Sequence, residues 1–183
     1  MGVQTIRTVG HGTLEAEAFA DLLHGAGLAT VVDVRRFPGS RRSPQFGSDA
    51  MRAWLADAGL GYEWYEALGG RRTPAPDSPN VALRNLQFRG YADHMATPSF
   101  AAGVAELVAV ARRGPTTVMC AESVWWRCHR RLLADHLVLV EQATVEHLFH
   151  DGRVVEHAAT PEARRVGDHV VYDLATQPSL LDG

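Results

Sequence analysis

Apolar, β-branched runs alternate along this chain with stretches whose apolar positions recur every three or four residues, and that alternation predicts an α/β fold. Residues 3–9 read as a first strand, followed by Gly10-His11-Gly12-Thr13. Thr13 is placed to cap a helix whose Leu14, Ala18, Phe19, Leu22 and Leu23 share one face, with Gly25 and Gly27 ending it. Residues 30–34 form a second strand, and a strand after a helix of that length implies a right-handed βαβ unit in a parallel sheet. A helix over 48–58 buries Met51, Trp54 and Leu55, and residues 61–65 make a third short strand. Residues 68–90 are proline-rich and polar and read as a long loop, followed by a helical turn over 91–95. Thr97-Pro98 opens a helix running through Phe100, Val104, Leu107 and Ala111.

The stretch TTVMCAESVWWRCHRRLL, residues 116–133, is a strand, a turn and the start of a helix at Arg127 that continues on an apolar stripe to residue 140. Residues 143–149 form another strand, and Asp151-Gly152 turns it into a hairpin with Arg153-Val154-Val155-Glu156. The sum is one α/β domain over 1–157, with a mostly parallel sheet of about four to five strands flanked by helices and long arginine-rich loops at the strand C-terminal ends. Residues 158–183 are a C-terminal extension in which Val170-Val171-Tyr172 pair as an edge strand before a loose tail.

No apolar run approaches the ~20 residues that a membrane span needs, so no membrane partner is expected. The N-terminus lacks a charged-then-apolar export pattern, and two cysteines are too few for a disulfide framework. Both point to the cytoplasm. All 18 basic residues are arginine, which removes lysine Schiff-base chemistry from consideration. The formal charge of −3 argues against a protein that coats nucleic acid through overall charge, though not against a local basic face.

Candidate chemistry gathers at the predicted strand ends, where open parallel sheets bind ligands. Cys120 ends its strand just before a predicted helix start and near Arg127, Arg130 and Arg131, a setting that lowers a thiol pKa and makes it a nucleophile. Cys128 reads as structural or as a resolving thiol. Glu122 is a second reactive candidate, as a general base or as a nucleophile at a sugar carbon, with Trp125 and Trp126 available to stack a base. Its plainer role is to cap the helix or pair with Arg127. His11 sits between a strand end and a helix start and faces either ligand or backbone. Asp33 requires a partner such as Arg35 if it is buried. In RRFPGSRRSPQF, Arg35, Arg36, Arg41 and Arg42 cluster with Phe37 and Phe46, which reads as a ligand-facing loop rather than a solvated one; its guanidinium groups, together with Arg89, suit phosphate and its rings suit base stacking.

Two templates can be tested by counting. A phosphatase loop needs Arg six residues after its Cys, whereas Trp126 stands there and Arg127 follows. A rhodanese-like sulfurtransferase would instead use Cys120 as a persulfide carrier. Zinc held by Cys120, Cys128, His129 and His11 is awkward, because neighbours on a helix point about 100° apart. No pattern calls for a cofactor.

These residues occur in TVGHGTLEAEAFADLL, VVDVRRFPGSRRSPQF, ALGGRR, LRNLQFRGYADHM and MCAESVWWRCHRRLLADHL. In that order the pieces resemble the bacterial family known as domain of unknown function 488, from about residue 5 to about residue 150. The resemblance implies an α/β domain in which His11, Asp33, Arg35, Arg41, Gly69, Gly70, Arg89, Tyr91, Cys120, Glu122, Cys128, His129 and Arg130 gather in one cleft. It implies no activity. The chain departs from it at Trp125-Trp126, where the family carries more polar residues. The functional expectation is an enzyme on a phosphate-bearing substrate, a small nucleotide or a nucleic acid, held by the arginines with Tyr91, Trp125, Trp126, Arg127, His129 and Arg130. A sulfurtransferase and a non-catalytic nucleic-acid binder are the alternatives.

Overall fold

Alternate residues of each central strand feed two different hydrophobic clusters, so the sheet is buried on both faces. In the computed structural model, which describes residues 5–39 and 42–174, the strands are β1 (Thr5–Gly10), β2 (Thr30–Asp33), β3 (Gly61–Trp64), β4 (Thr116–Cys120), β5 (Thr144–Leu148) and β6 (Val154–Glu156). Their order is β3-β2-β4-β1-β5-β6, with β6 alone antiparallel. Val31 and Met119 pack with helices α1 (Ala16–Gly25) and α2 (Ser48–Asp57) on one side. Val32, Val118 and Cys120 pack on the other, with α3 (Leu86–Met95), α4 (Pro98–Arg113) and α5 (Arg130–Leu139). Period-two alternation on a sheet covered by helices on both faces is the physics of a parallel α/β domain.

Six strands form the sheet rather than four to five. The sixth is β6, the expected outer arm of the hairpin, whose three residues are all exposed. It is held by the expected Asp151-Gly152 turn, with Asp151 Oδ1 accepting from Arg153 N at 3.0 Å. The residues 170–172 strand lies in β8 (His169–Tyr172), which pairs with β7 (Ala163–Val166) in a separate two-stranded sheet. Its Tyr172 is buried, and the hydroxyl donates to Asp135 Oδ2 at 2.8 Å. The expected tail beyond residue 174 and the expected strand residues 3 and 4 lie outside the described residues.

Helix α3 begins within what reads as a loop. Asn85 Oδ1 accepts from Gln87 N and Phe88 N and so caps it, an interaction worth about 1 kcal/mol. Gly90 in its interior disguises the helix in sequence. A Cβ there would lie 2.4 Å from Arg72 O, so glycine is what lets the preceding loop lie against α3. Asp93 then ties that loop down, accepting from Ala75 N, Ser78 Oγ and Asn80 Nδ2. Helix α4 has the expected cap, Thr97 Oγ1 accepting from Phe100 N. Helix α1 is uncapped by any side chain, and the expected Thr13 cap is replaced by Glu15 at the N-cap position, two residues on.

No single helix among the described residues is long and apolar enough to cross a membrane.

Candidate functional site

Strand β4 is buried along its whole length and lies between β2 and β1, with Gly10 level with Cys120 and Asp33 level with Met119. The chain leaving β4 goes to α5 on one face, while the chains leaving β1 and β2 go to α1 and α2 on the other. Connections that part in this way open a crevice at the carboxyl ends of the strands. The approach is very tight. A Cβ on Gly10 would stand 1.8 Å from Glu122 O, so a glycine at that strand end is what admits the loop after Cys120.

A cleft of about 210 Å³ occupies this place. Cys120, Cys128, Ala121 and Glu122 line it from β4 and the following loop, and Arg127 and His129 from just before α5. Opposite stand Arg35, Arg36 and Phe37 after β2, Gly70 and Arg71 of the long loop, and Gln87 and Phe88 of the first turn of α3. Arg71 takes a left-handed backbone, φ 59°, which is uncommon for a residue with a side chain. A Cβ on Gly70 would meet His129 Nδ1 at 2.8 Å and one on Gly69 would meet Arg36 Cα at 2.7 Å, which explains the paired glycines before Arg71.

Two thiols lie on the floor with their sulfurs 3.0 Å apart. Their electrostatics reverse the sequence expectation. Burial, then its bond with Cys128, pushes the Cys120 thiol well above the usual range. Cys128 is held well below that range by the thiol of Cys120, then by His129 and Arg130. The helix start also lies nearer to Cys128. Residues Trp125–Arg127 form a single 3-10 turn, Cys128 is extended, His129 is the N-cap and α5 starts only at Arg130. The thiol next to the helix N-terminus is therefore Cys128, eight residues past the strand end. His129 Nε2 donates to Val34 O at 3.1 Å, and its Nδ1 lies 3.4 Å from Cys128 Sγ.

The remaining predicted residues separate into those that touch the cleft and those that support it. Asp33 is fully buried, and both its oxygens are occupied: Oδ1 accepts from Arg35 N and Nε, Oδ2 from Arg35 Nη2 at 2.6 Å and Tyr62 OH at 2.7 Å. It is a partner of Arg35 and has no oxygen left for a ligand. His11 stacks on Phe46, ring centroids 4.1 Å apart, and its Nδ1 donates to Gly12 O. Burial, then the Arg35 charge, lowers its pKa to about 4 and leaves the ring neutral, with Nε2 3.5 Å from Arg35 Nη1. His11 thus acts on Arg35 and does not line the cleft. Tyr91 is buried behind His129, donating to Leu68 O. Arg89 Nε donates to Leu83 O, which ties it to the loop before α3. Arg42 is exposed and away from the cleft lining, and Arg41 lies outside the described residues.

Arg130 departs furthest from expectation. It is 1 % exposed and donates to Glu122 O, Ser123 O and Thr8 Oγ1, so it clamps the loop after Cys120 from beneath. Trp125 is stacked flat on His147, at 4.0 Å and 6°, and is not free to stack a base. Trp126 is 49 % exposed beside Phe149 and does not line the cleft. Arg36 and Phe37 line the cleft as the ligand-facing Arg-Phe loop predicts, whereas sequence reasoning passed over Arg71, Gln87 and Phe88 as cleft residues. The available signals were the double glycine before Arg71, and Asn85 as a helix cap two residues before Gln87. No group of three or more metal-ligating side chains occurs among the described residues.

Fold and site together define a three-layer α/β protein with a dithiol cleft, walled by arginine, at the carboxyl ends of its central strands. Residues 15–137 match the family model of the domain of unknown function DUF488, and the chain belongs to that family. No curated protein and no solved structure matches it.

Proposed function

We propose that the cleft binds a phosphate-bearing substrate, a nucleotide or a nucleic-acid segment, and that Cys128 attacks it while Glu122 carries a proton to or from the leaving group. One observation supports this above the others. Among the described residues no carboxylate pairs with Arg36, Arg71 or Arg127, and these three guanidinium groups border a pair of thiols. Arg36 Nη1 donates to Arg71 O at 2.8 Å, which ties these two cleft arginines together. Phe37, 60 % exposed at the rim, offers a ring face to a base. Arg127→Ala, on an exposed side chain, should weaken binding of a nucleoside diphosphate about tenfold or more while leaving the melting temperature unchanged. Affinity should fall as salt is raised. If neither mononucleotides nor a short single-stranded oligonucleotide binds at millimolar concentration, the reading is wrong.

The second thiol favours one other reading, sulfur transfer through a persulfide on Cys128 that Cys120 discharges. Incubation with thiosulfate should then add about 32 Da at Cys128. The same treatment with no adduct on either cysteine would dismiss it.

A further inference from the structure

The two sulfurs are closer than unbonded sulfur atoms ordinarily rest, yet both thiols are free. A disulfide needs them at about 2.05 Å, so closure requires a contraction of only about 1 Å. The two ends differ in how firmly they are held. Cys120 is fixed in β4, in register with Gly10 on β1. Cys128 is the single extended residue between a 3-10 turn and α5, at the end of a loop whose residues 121–123 are exposed. Both cysteines line the cleft, and Cys128 is the more exposed of the two, which gives a small oxidant its route.

We infer that Cys128 and Cys120 form a peroxide-oxidisable pair, in which Cys128 is oxidised first and Cys120 then closes a disulfide onto it. The oxidant is a hydroperoxide. In the first step the Cys128 thiolate attacks the outer oxygen, a sulfur–oxygen bond forms, and the oxygen–oxygen bond breaks. The inner oxygen leaves as alkoxide or hydroxide and takes a proton from solvent. Cys128 has lost two electrons and is a sulfenic acid; the peroxide has gained them. In the second step Cys120 sulfur attacks Cys128 sulfur, the sulfur–sulfur bond forms, the sulfur–oxygen bond breaks, and the departing hydroxide leaves as water with the Cys120 proton. The sum is two thiols and one hydroperoxide giving one disulfide, one alcohol (or water) and one water. A dithiol reductant reverses it.

The order of events follows from the site. Cys128 has His129 Nδ1 at 3.4 Å and the start of α5 beside it, which favour the thiolate that attacks. Cys120 is the more deeply buried and stays protonated until the sulfenic acid is beside it. Closure removes the reactive sulfur from the cleft, so oxidation would silence the chemistry proposed above. The disulfide itself needs no substrate and stands or falls separately from that reading.

The test is intact-mass measurement of the full chain after a limited dose of hydrogen peroxide. Wild type should lose about 2 Da, show both cysteines protected from iodoacetamide after unfolding, and recover with dithiothreitol. Cys120→Ser should instead gain about 16 Da at Cys128, as a sulfenic acid trapped by a cyclic dione. Cys128→Ser should leave Cys120 unmodified at the same dose. Nucleoside-diphosphate binding to the reduced wild type, read in parallel, reports on the substrate reading alone. Wild type that accumulates oxygen on Cys128 while Cys120 still alkylates, or that forms disulfide-linked dimers, overturns the inference.

Discussion

Arg130→Met should cost about 3–5 kcal/mol of folding stability, and the loss should appear with or without a phosphate ligand. Removal of the guanidinium takes a charged donor from buried Thr8 Oγ1 and from the part-buried carbonyls of Glu122 and Ser123, and a hydrogen bond to a charged group contributes about 1.5–3 kcal/mol. It also cuts a longer chain. Thr8 Oγ1 lies 2.7 Å from His147 Nδ1, His147 Nε2 2.9 Å from His157 Nδ1, and His157 Nε2 2.9 Å from Asp135 Oδ1. One sense of donation fits all of them, from the Arg130 cation through hydroxyl and two imidazoles to the Asp135 carboxylate. Networks of this kind are costly to leave half satisfied. Urea unfolding monitored by tryptophan fluorescence measures the change, and iodoacetamide should then reach Cys120 in the variant because its covering loop is loosened. A variant with an unchanged urea midpoint but lost phosphate affinity would return Arg130 to the role of ligand contact.

The features legible in the sequence are those written in local patterns. The parallel order of β1 and β2, the Thr97 cap and the Asp151-Gly152 turn each follow from a few adjacent residues. The carboxyl ends of β4 and β2 are where Cys120 and Arg35 were expected to meet, and both line the cleft. What failed was the role of side chains whose hydrogen-bond partners lie on distant segments. Arg130 looks like a phosphate ligand because it stands two residues after Cys128, and only the fold reveals that Thr8, 122 residues earlier, and the loop carbonyls above it take its donors. Asp33 and His11 look like ligand groups for the same reason, and each is consumed in holding Arg35.

The exchange of roles between the two cysteines has a more local cause. Both WWR and CHR permit a helical start, and sequence periodicity places α5 at Arg127. The chain takes one 3-10 turn there and breaks at Cys128 before α5 begins, so the helix end acts on the later thiol. A start of α5 three residues later than the pattern suggests leaves Cys128 just outside the helix, a sensitivity expected of helix termini, and it is this thiol that Cys120, then His129 and Arg130, hold below the usual range.

Lowering the pH from 7 should destabilise the fold steeply below about 6.5, before most carboxylates titrate. Burial first, then neighbouring positive groups, keeps three imidazoles neutral in the folded chain: His11 and His136 titrate at about 4 and His147 at about 3, against an ordinary value of 6.5. The sign follows from proton counts. Above 6.5 both folded and unfolded rings are neutral, and nothing is lost. Between 6.5 and about 4 the unfolded chain binds up to three protons that the folded chain refuses, so stability falls as pH falls. Below about 3 both states are protonated, and the penalty from these rings stops growing. Each ring contributes a slope of up to about 1.4 kcal/mol per pH unit, less wherever water screens it. Urea midpoints measured between pH 7 and pH 4.5 give the slope. His136→Phe is the control, because that ring packs edge-on against Phe100 and its Nδ1 has no partner to lose. The variant should flatten the slope by about one proton while leaving stability at pH 7 nearly as it was. If instead the midpoint is level from pH 7 to pH 5, these rings are protonated in the folded protein, and His147 Nδ1 is not the acceptor for Thr8 Oγ1.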